Sequence, residues 1–270
     1  MSDSPEFVAL KQRMKSSWMA GDFGQIARVN ERSAEGFVSR LALRPGMRVL
    51  DIACGTGNQS IPAARTRADV TGLDLAPNLL EQARERATKE NLKITFVEGD
   101  AEQLPFDAAQ FDVVLSMFGA MFAPRPERVV SELLRVCRPG GLIAMGNWTP
   151  EGFVGETFRI TSRHVPPPPG PAPPILWGQE SVVEERFANR AKLAMTRQSM
   201  EFDFPYEPAK VVDLFRTYFG PTKMAFDRLD PAGQNALYDD LLGHWTKHNE
   251  SKDGHTLVRG EYLEVHARPS

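Results

Sequence analysis

Short runs of apolar residues alternate with segments of helical periodicity between Gly46 and Trp148. The alternation is typical of strand-helix-strand units, in which helices cover both faces of a parallel sheet. Five strands are predicted, over residues 48–53, 69–74, 94–98, 111–117 and 142–148. The pattern therefore predicts an α/β fold, with any ligand held where the strands end.

Two of the intervening helices have clear boundaries. Pro77 stands at a first-turn position, and apolar residues follow it at helical spacing over residues 79–87. A second helix shows an apolar face over residues 129–137, after which Pro139, Gly140 and Gly141 are expected to end it and turn the chain.

Helices also precede the predicted sheet, within residues 5–43. A break at residues 21–24 separates two helical segments, and we expect this break to act as a flexible entry lid. After Trp148, residues 165–174 are so rich in proline that they must be extended. We interpret them as a rigid loop packed on the core, the alternative being a motif for a polyproline-reading partner.

The last third of the chain returns to regular patterns. Strands are predicted over residues 192–204 and 256–267, and helices over residues 208–218 and 230–249. The final strand closes the predicted sheet.

The composition narrows the class of partner. The net charge is −3 and the pI about 6.0, so no basic excess is available for a nucleic acid. No apolar stretch is long enough for a membrane span, residues 1–6 lack a signal pattern, and we expect a cytoplasmic protein. Cys54 and Cys137 lie in predicted core segments, which suggests neither a disulfide framework nor a zinc cluster.

The first strand leads directly into a glycine-rich loop. Gly55, Thr56 and Gly57 follow it, and Asn58 and Gln59 begin a helix. Glycines allow a ligand to approach the backbone, and the helix start offers unpaired amides. This arrangement predicts a nucleotide site.

The neighbours of the loop indicate which nucleotide it takes. The third glycine of a dinucleotide fingerprint and the lysine of a phosphate loop are both absent. Asp51, just before the loop, would repel a pyrophosphate but favour a cationic amine such as that of S-adenosyl-methionine. A dinucleotide-dependent oxidoreductase remains an alternative.

Two further acids follow consecutive predicted strands. Asp74 ends the second strand, where a carboxylate can accept hydrogen bonds from both hydroxyls of a ribose. Asp100 follows the third strand and can accept from an adenine amino group. Three acids at one sheet edge, beside the loop, predict an adenosyl ligand.

These motifs together resemble the class I S-adenosyl-methionine-dependent methyltransferases, nearest to the ubiquinone/menaquinone-biosynthesis-type enzymes, over residues 44–148. The resemblance implies a Rossmann-like, seven-stranded, mostly parallel sheet with an antiparallel last strand. It implies S-adenosyl-L-methionine as cofactor and S-adenosyl-L-homocysteine as product. It also implies that Asp51 holds the methionyl end and that Asp74 binds the ribose.

We assign sixteen residues to the cofactor site on this basis. They are Trp18, Asp51, Ala53, Gly55, Thr56, Gly57, Asn58, Gln59, Asp74, Leu75, Asp100, Ala101, Glu102, Ser116, Met117 and Phe118. The chain divides into four predicted parts: an N-terminal helical lid (1–43), the cofactor-binding core (44–148), a helical and proline-rich cap insert (149–190), and the remaining sheet with substrate-cap helices (191–270).

Methyl transfer from a sulfonium is an in-line displacement that needs neither a metal nor a covalent nucleophile. A general base matters only if the acceptor keeps its proton at neutral pH. His164, in the predicted cap, is our candidate among five histidines. His244 and His248 have a metal-ligand spacing but no evident third ligand, so we expect no metal.

The acceptor is expected to be a small organic molecule. The insert supplies apolar residues for a pocket above the strand ends, namely Phe153, Phe158, Ile160, Trp177 and Phe187. The Asn/Asp-Pro-Pro-aromatic motif of nucleic-acid amino-methyltransferases is replaced by residues 116–119, Ser-Met-Phe-Gly. The expected protein is a monomer or homodimer, and a non-catalytic scaffold that binds S-adenosyl-methionine remains an alternative.

Overall fold

Seven strands form one mixed sheet in the computed structural model, which describes residues 5–168 and 170–270. They are β1 (Arg48–Ile52), β2 (Asp69–Asp74), β3 (Ile94–Glu98), β4 (Phe111–Met117), β5 (Cys137–Trp148), β6 (Ala191–Phe204) and β7 (Thr256–Pro269). Their order across the sheet is β3-β2-β1-β4-β5-β7-β6. Pro169 of the proline-rich segment and residues 1–4 lie outside the described residues.

The strand directions confirm the predicted sheet. β1 to β5 are parallel, and β7 runs antiparallel to both β5 and β6. The central strands β1 and β4 are almost continuously buried, because helices cover both faces of the sheet. The fold is the Rossmann-like α/β class with an antiparallel last strand.

Helices surround the sheet and fill the segments between strands. They are α1 (Pro5–Met19), α2 (Phe23–Ala27), α3 (Glu31–Arg40), α4 (Ser60–Arg65), α5 (Pro77–Lys89), α6 (Pro126–Val136), α7 (Phe153–His164), α8 (Glu180–Phe187), α9 (Pro208–Tyr218), α10 (Gly220–Asp227) and α11 (Pro231–His248). A proline stands in the first turn of α5, α6, α9, α10 and α11, where its missing N–H costs nothing.

Three local predictions need correction. Cys137 begins β5 rather than ending α6, and Gly140, with φ +68°, lies within the strand instead of in a turn before it. A register shift between β4 and β5 absorbs the irregular backbone. α10 stands where the sequence predicted no element, whereas α7 and α8 agree with the predicted helical, proline-rich cap.

One hydrophobic cluster extends through the described residues. It reaches from Phe37 in α3 through the central strands to Phe187 in α8 and Ala267 in β7. Its members therefore come from all four predicted parts of the chain. The division into those parts stays a prediction.

The N-terminal helices meet α9 and α10 at very short range. A Cβ atom at Gly220 would lie 1.9 Å from the carbonyl oxygen of Ser17, at the end of α1. A Cβ atom at Gly21, where φ is +75°, would lie 2.6 Å from the carbonyl oxygen of Tyr218. Only glycine permits this backbone contact, so it fixes where the two pairs of helices meet.

No helix among the described residues is long and apolar enough to cross a bilayer.

Candidate active site

The glycine-rich loop turns the chain sharply between β1 and α4. Ala53, Gly55 and Gly57 all have positive φ, at +54°, +53° and +83°. Ala53 adopts this conformation against Gly119, where a Cβ atom would lie 2.5 Å from the Cβ of Ala53. The loop is therefore held in a conformation that leaves its backbone close to the space above the strand ends.

Asp74 holds this loop from the end of the neighbouring strand. One carboxylate oxygen accepts a hydrogen bond from the backbone N–H of Gly55 and the other from that of Ala76, each at 2.8 Å. The side chain is buried, and this burial raises its pKa. Each oxygen retains a lone pair, so Asp74 can also accept from a ligand.

Asp51 lies beneath the loop and is fully buried. Ser60 donates a hydrogen bond to its Oδ2 at 2.5 Å, whereas Oδ1 has no partner among the described residues. Burial raises the pKa of Asp51 to about 7, and repulsion from Asp74 adds to the shift. An orphaned carboxylate oxygen in such surroundings fits a cationic ligand group, as the methionyl ammonium would supply.

A cavity of about 1070 Å³, which includes the space at its mouth, lies above the ends of β1, β2 and β4. We call it the cofactor cavity. Twelve of the sixteen predicted residues line it: Trp18, Ala53, Gly55, Thr56, Asn58, Gln59, Asp74, Leu75, Asp100, Ala101, Met117 and Phe118. The structure thus brings most of the predicted set together around one space.

Four predicted residues, Asp51, Gly57, Glu102 and Ser116, stand behind the wall of this cavity. Gly57 packs toward Ala83 of α5. Glu102 is buried, and both of its carboxylate oxygens accept from Arg125. The four residues therefore lie outside the described lining, and their part in holding a cofactor stays a prediction.

Ser116 shows why a residue at a strand end need not face the ligand. Its hydroxyl donates to the carbonyl of Ile52 at 2.7 Å and accepts from the backbone N–H of Ala120 at 3.0 Å. Both bonds are internal to the protein, so the hydroxyl ties β4 to β1.

Helix α1 covers the mouth of the cofactor cavity. It supplies Lys11, Met14 and Trp18 to the lining, although none of its residues is fully buried. The Nζ of Lys11 lies 2.6 Å from a carboxylate oxygen of Asp100 and 2.8 Å from one of Glu102. The predicted adenine-binding carboxylate is thus already paired with the covering helix.

A second cavity of about 980 Å³, its mouth included, adjoins the first. We call it the aromatic cavity. Eleven of its twenty lining residues come from α7, α9, α10 and α11. Five residues line both cavities: Trp18, Phe23, Asn30, Phe118 and Phe122. We call these five the neck. Phe118, with φ +62°, stacks on Trp148 at 3.7 Å between ring centroids.

The predicted acceptor wall is correct only in part. Phe153 and Phe158 line the aromatic cavity, whereas Ile160, Trp177 and Phe187 are buried without lining it. α9 to α11 add six more wall residues, although their helical pattern gave no sign of a ligand. The predicted substrate-cap helices are therefore the larger contributors.

His164 is not placed to act as the predicted base. Its Nε2 lies 2.8 Å from the carboxylate of Asp240 in α11, and it lines neither cavity. His244 stacks on Phe153 with its Nε2 3.0 Å from the carbonyl of that residue. Among the residues that the structure describes, no histidine lines either cavity.

Comparison with known proteins identifies the family. Residues 49–141 match the methyltransferase domain family. The protein Rv1403c of Mycobacterium tuberculosis is 41% identical over 215 residues, which cover 78% of each chain. This chain belongs to the class I S-adenosyl-methionine-dependent methyltransferases. The demethylmenaquinone methyltransferase of Deinococcus radiodurans is 36% identical over 124 residues, 44% of this methyltransferase and 52% of that enzyme.

Solved structures share the fold of this methyltransferase. A methyltransferase-like protein of Bacillus halodurans C-125 superposes with a TM-score of 0.63 at 21% identity. The match covers 88% of this chain and all of that one. At such identity the likeness concerns the fold, and the methyl acceptor has to be argued from the site.

Sequence reasoning missed several lining residues of the methyltransferase site. Lys11 and Met14 come from α1, and Asn30 stands just before α3. Phe215 comes from α9, and Phe219 directly follows that helix. Each reaches the site through tertiary packing, so no local motif marks it. Of the five neck residues, Trp18 and Phe118 belong to the predicted set, whereas Phe23, Asn30 and Phe122 do not.

Proposed function

We propose that the protein transfers the methyl group of S-adenosyl-methionine to a small organic acceptor bound in the aromatic cavity. The observation that supports this proposal most directly is the neck. There, a cavity with cofactor-binding motifs and a cavity with an apolar wall share five residues. Two reactants held in such adjoining spaces meet without passing through water.

The residues around the cofactor cavity fit S-adenosyl-methionine. We infer that Asp74 accepts from the ribose hydroxyls and Asp100 from the adenine amino group, as carboxylates at two neighbouring strand ends. Asp51, with its unpartnered Oδ1, balances the charge of the methionyl ammonium from beneath the loop. The bound cofactor supplies an electrophilic methyl group on a positively charged sulfur.

The protein contributes position and exclusion of water to this reaction. Trp18, Phe118 and Phe122 surround the place where the two cavities meet. Their rings keep water away, and their faces stabilise positive charge through the ring quadrupole. Orientation of the acceptor can supply a large part of the rate enhancement in such a displacement.

Calorimetry with S-adenosyl-methionine and S-adenosyl-homocysteine tests the cofactor part of the proposal. We expect both to bind and NAD not to bind. Tight binding of NAD with no binding of either adenosyl compound would overturn the proposal and favour an oxidoreductase.

Mass spectrometry tests transfer itself. The protein is incubated with S-adenosyl-methionine and a panel of apolar organic compounds, and S-adenosyl-homocysteine is measured together with acceptor mass. We expect product formation that depends on an acceptor and stops when Val154→Trp fills the aromatic cavity. Cofactor binding with no turnover on any compound, together with capture of a partner by the proline-rich segment, would favour the scaffold alternative.

A further inference from the structure

The wall of the aromatic cavity carries no charged side chain among the described residues. Eleven of its twenty lining residues are aromatic, and none is Asp, Glu, Lys, Arg or His. Burial of an ionised group there would cost far more than burial of a neutral one, because no counter-charge compensates the lost hydration. The cavity therefore selects an uncharged and mainly apolar molecule.

The polar residues of this wall differ in whether their hydrogen bonds are satisfied. The hydroxyl of Thr157 donates to the carbonyl of Phe153, and that of Thr161 donates to the carbonyl of Thr157, both at 3.0 Å. These two hydroxyls are used within α7. The amide oxygen of Asn30, in contrast, has no hydrogen-bond partner among the described residues.

Asn30 is also the polar member of the neck. It stands immediately before α3, where its side chain makes no capping hydrogen bond to the helix. The other four neck residues are Trp18, Phe23, Phe118 and Phe122, none of which carries an acceptor oxygen. A buried amide oxygen that has no hydrogen-bond partner among the described residues, and that lies beside two cavities, is a group left for a ligand.

We propose that the acceptor is an uncharged, apolar molecule with an N–H or O–H group at the atom that receives the methyl, and that Asn30 accepts the hydrogen bond from this group. The inference rests on the proposed function and names the substrate class of its site. A lone pair of the acceptor atom forms the new bond to carbon while the carbon–sulfur bond breaks. The electron pair of that bond stays on sulfur, and the acceptor atom takes the positive charge. Its proton passes to solvent water when the product leaves the site.

Asn30 is a positioning and specificity-determining residue in this scheme. Its amide oxygen aligns the acceptor group through one hydrogen bond, which leaves the lone pair of the acceptor free. An acceptor without the donor would leave the amide oxygen unpaired in the closed site. The site should therefore bind an acceptor that carries the N–H or O–H donor more tightly than an otherwise identical molecule that lacks it.

Three related probes test the class of ligand by fluorescence on the full chain saturated with S-adenosyl-homocysteine. N-Phenyl-1-naphthylamine is neutral and carries one N–H, 1-anilinonaphthalene-8-sulfonate adds a negative charge, and 1-phenoxynaphthalene replaces the N–H by oxygen. We expect the sulfonate to bind at least about tenfold more weakly than the neutral amine. Equal or tighter binding of the sulfonate, or no binding of the neutral amine, would overturn the proposed class.

Two variants locate the probe and test Asn30. Val154→Trp fills the aromatic cavity and should abolish binding of the amine, with its unfolding temperature measured to confirm folding. Wild-type protein should prefer the amine to the ether by about fivefold, from one neutral hydrogen bond. Asn30→Leu should remove this preference, and Thr161→Val, whose hydroxyl is already satisfied within α7, should keep it.

The outcomes separate this inference from the proposed function. If Val154→Trp leaves amine binding unchanged, the probe sits elsewhere and the inference fails. If the preference for the amine survives Asn30→Leu, Asn30 has no such role. If the probes behave as expected on the protein without cofactor but S-adenosyl-methionine does not bind, the proposed function fails while the assignment of the aromatic cavity stands.

Discussion

Asp74 combines two roles in one carboxylate, because it holds the glycine-rich loop and also lines the cofactor cavity. Asp74→Ala is expected to weaken S-adenosyl-methionine binding by about 1–3 kcal/mol, through loss of charge-assisted hydrogen bonds. Calorimetry measures this change. Asp69→Ala, at the exposed opposite end of β2, is the matched control and should bind normally. An unchanged dissociation constant in Asp74→Ala would remove Asp74 from the site.

Asp51 predicts a pH dependence in the absence of ligand. Its pKa is raised from 3.8 to about 7 by burial, so the folded state binds its proton more tightly than the unfolded state. The stabilisation that protonated Asp51 contributes to the folded state is present in full below about pH 4. It falls as the pH rises and is lost above about pH 7. Urea unfolding measures the free energy of unfolding of wild type and of Asp51→Asn. The difference between the two free energies should change by roughly 2–4 kcal/mol over this pH range.

The same residue predicts how cofactor binding responds to pH. A cationic amine near Asp51 favours its ionised form, so affinity for S-adenosyl-methionine should increase between pH 6 and pH 7.5. Above about pH 8 the amine of the ligand itself begins to lose its proton. Asp51→Asn should flatten the profile, as calorimetry at several pH values would show. A profile that Asp51→Asn leaves unaltered would place the ammonium elsewhere.

The sequence was informative for residues whose role depends on the local backbone. Gly55 and Asp74 were predictable because a tight loop and a strand end constrain both residue type and spacing. Asn30 and Lys11 were not, since helices distant in sequence from the motif bring them to the site. His164 failed as a candidate because a place in the cap does not fix which way a side chain points.

At the scale of elements, the contact between α1 and α10 depends on one glycine. Gly220→Ala would place a methyl group 1.9 Å from the carbonyl oxygen of Ser17, so α1 must shift away. We expect a loss of about 1–3 kcal/mol in stability and faster amide hydrogen exchange in α1. Gly243→Ala is the matched control, because a Cβ atom there meets nothing within 4 Å. Unchanged exchange in α1 of Gly220→Ala would refute the described contact.

The elements predicted well are those with a strong hydrophobic periodicity and with residues that clearly end the helix or strand. β2, β3 and β4 were predicted at their observed bounds, since short runs of apolar and β-branched residues between helical segments indicate parallel strands. α10 was missed because Gly220 and Pro221 suggest a break, although proline is favoured in a first helical turn. The start of β5 was missed because Pro139 and Gly140 read as a turn, whereas a strand with a register shift accommodates them.

At the scale of the whole molecule, the continuous core predicts one cooperative unfolding transition. Each of the four predicted parts carries one tryptophan: Trp18, Trp148, Trp177 and Trp245. Tryptophan fluorescence and far-ultraviolet circular dichroism should therefore give coincident curves in urea. Separate transitions would instead support the division into independent parts.

Trp18 and Phe23, which flank the contact of the N-terminal helices with α9 and α10, belong to the walls of both cavities. A movement of these residues that admits a ligand to one cavity therefore also displaces the wall of the other cavity. In kinetic terms, the two substrates should not exchange independently. A saturating ligand in the aromatic cavity should slow the dissociation of S-adenosyl-homocysteine. Stopped-flow displacement would measure this slower dissociation. Because S-adenosyl-homocysteine must leave in every catalytic cycle, its release would then limit the rate of turnover.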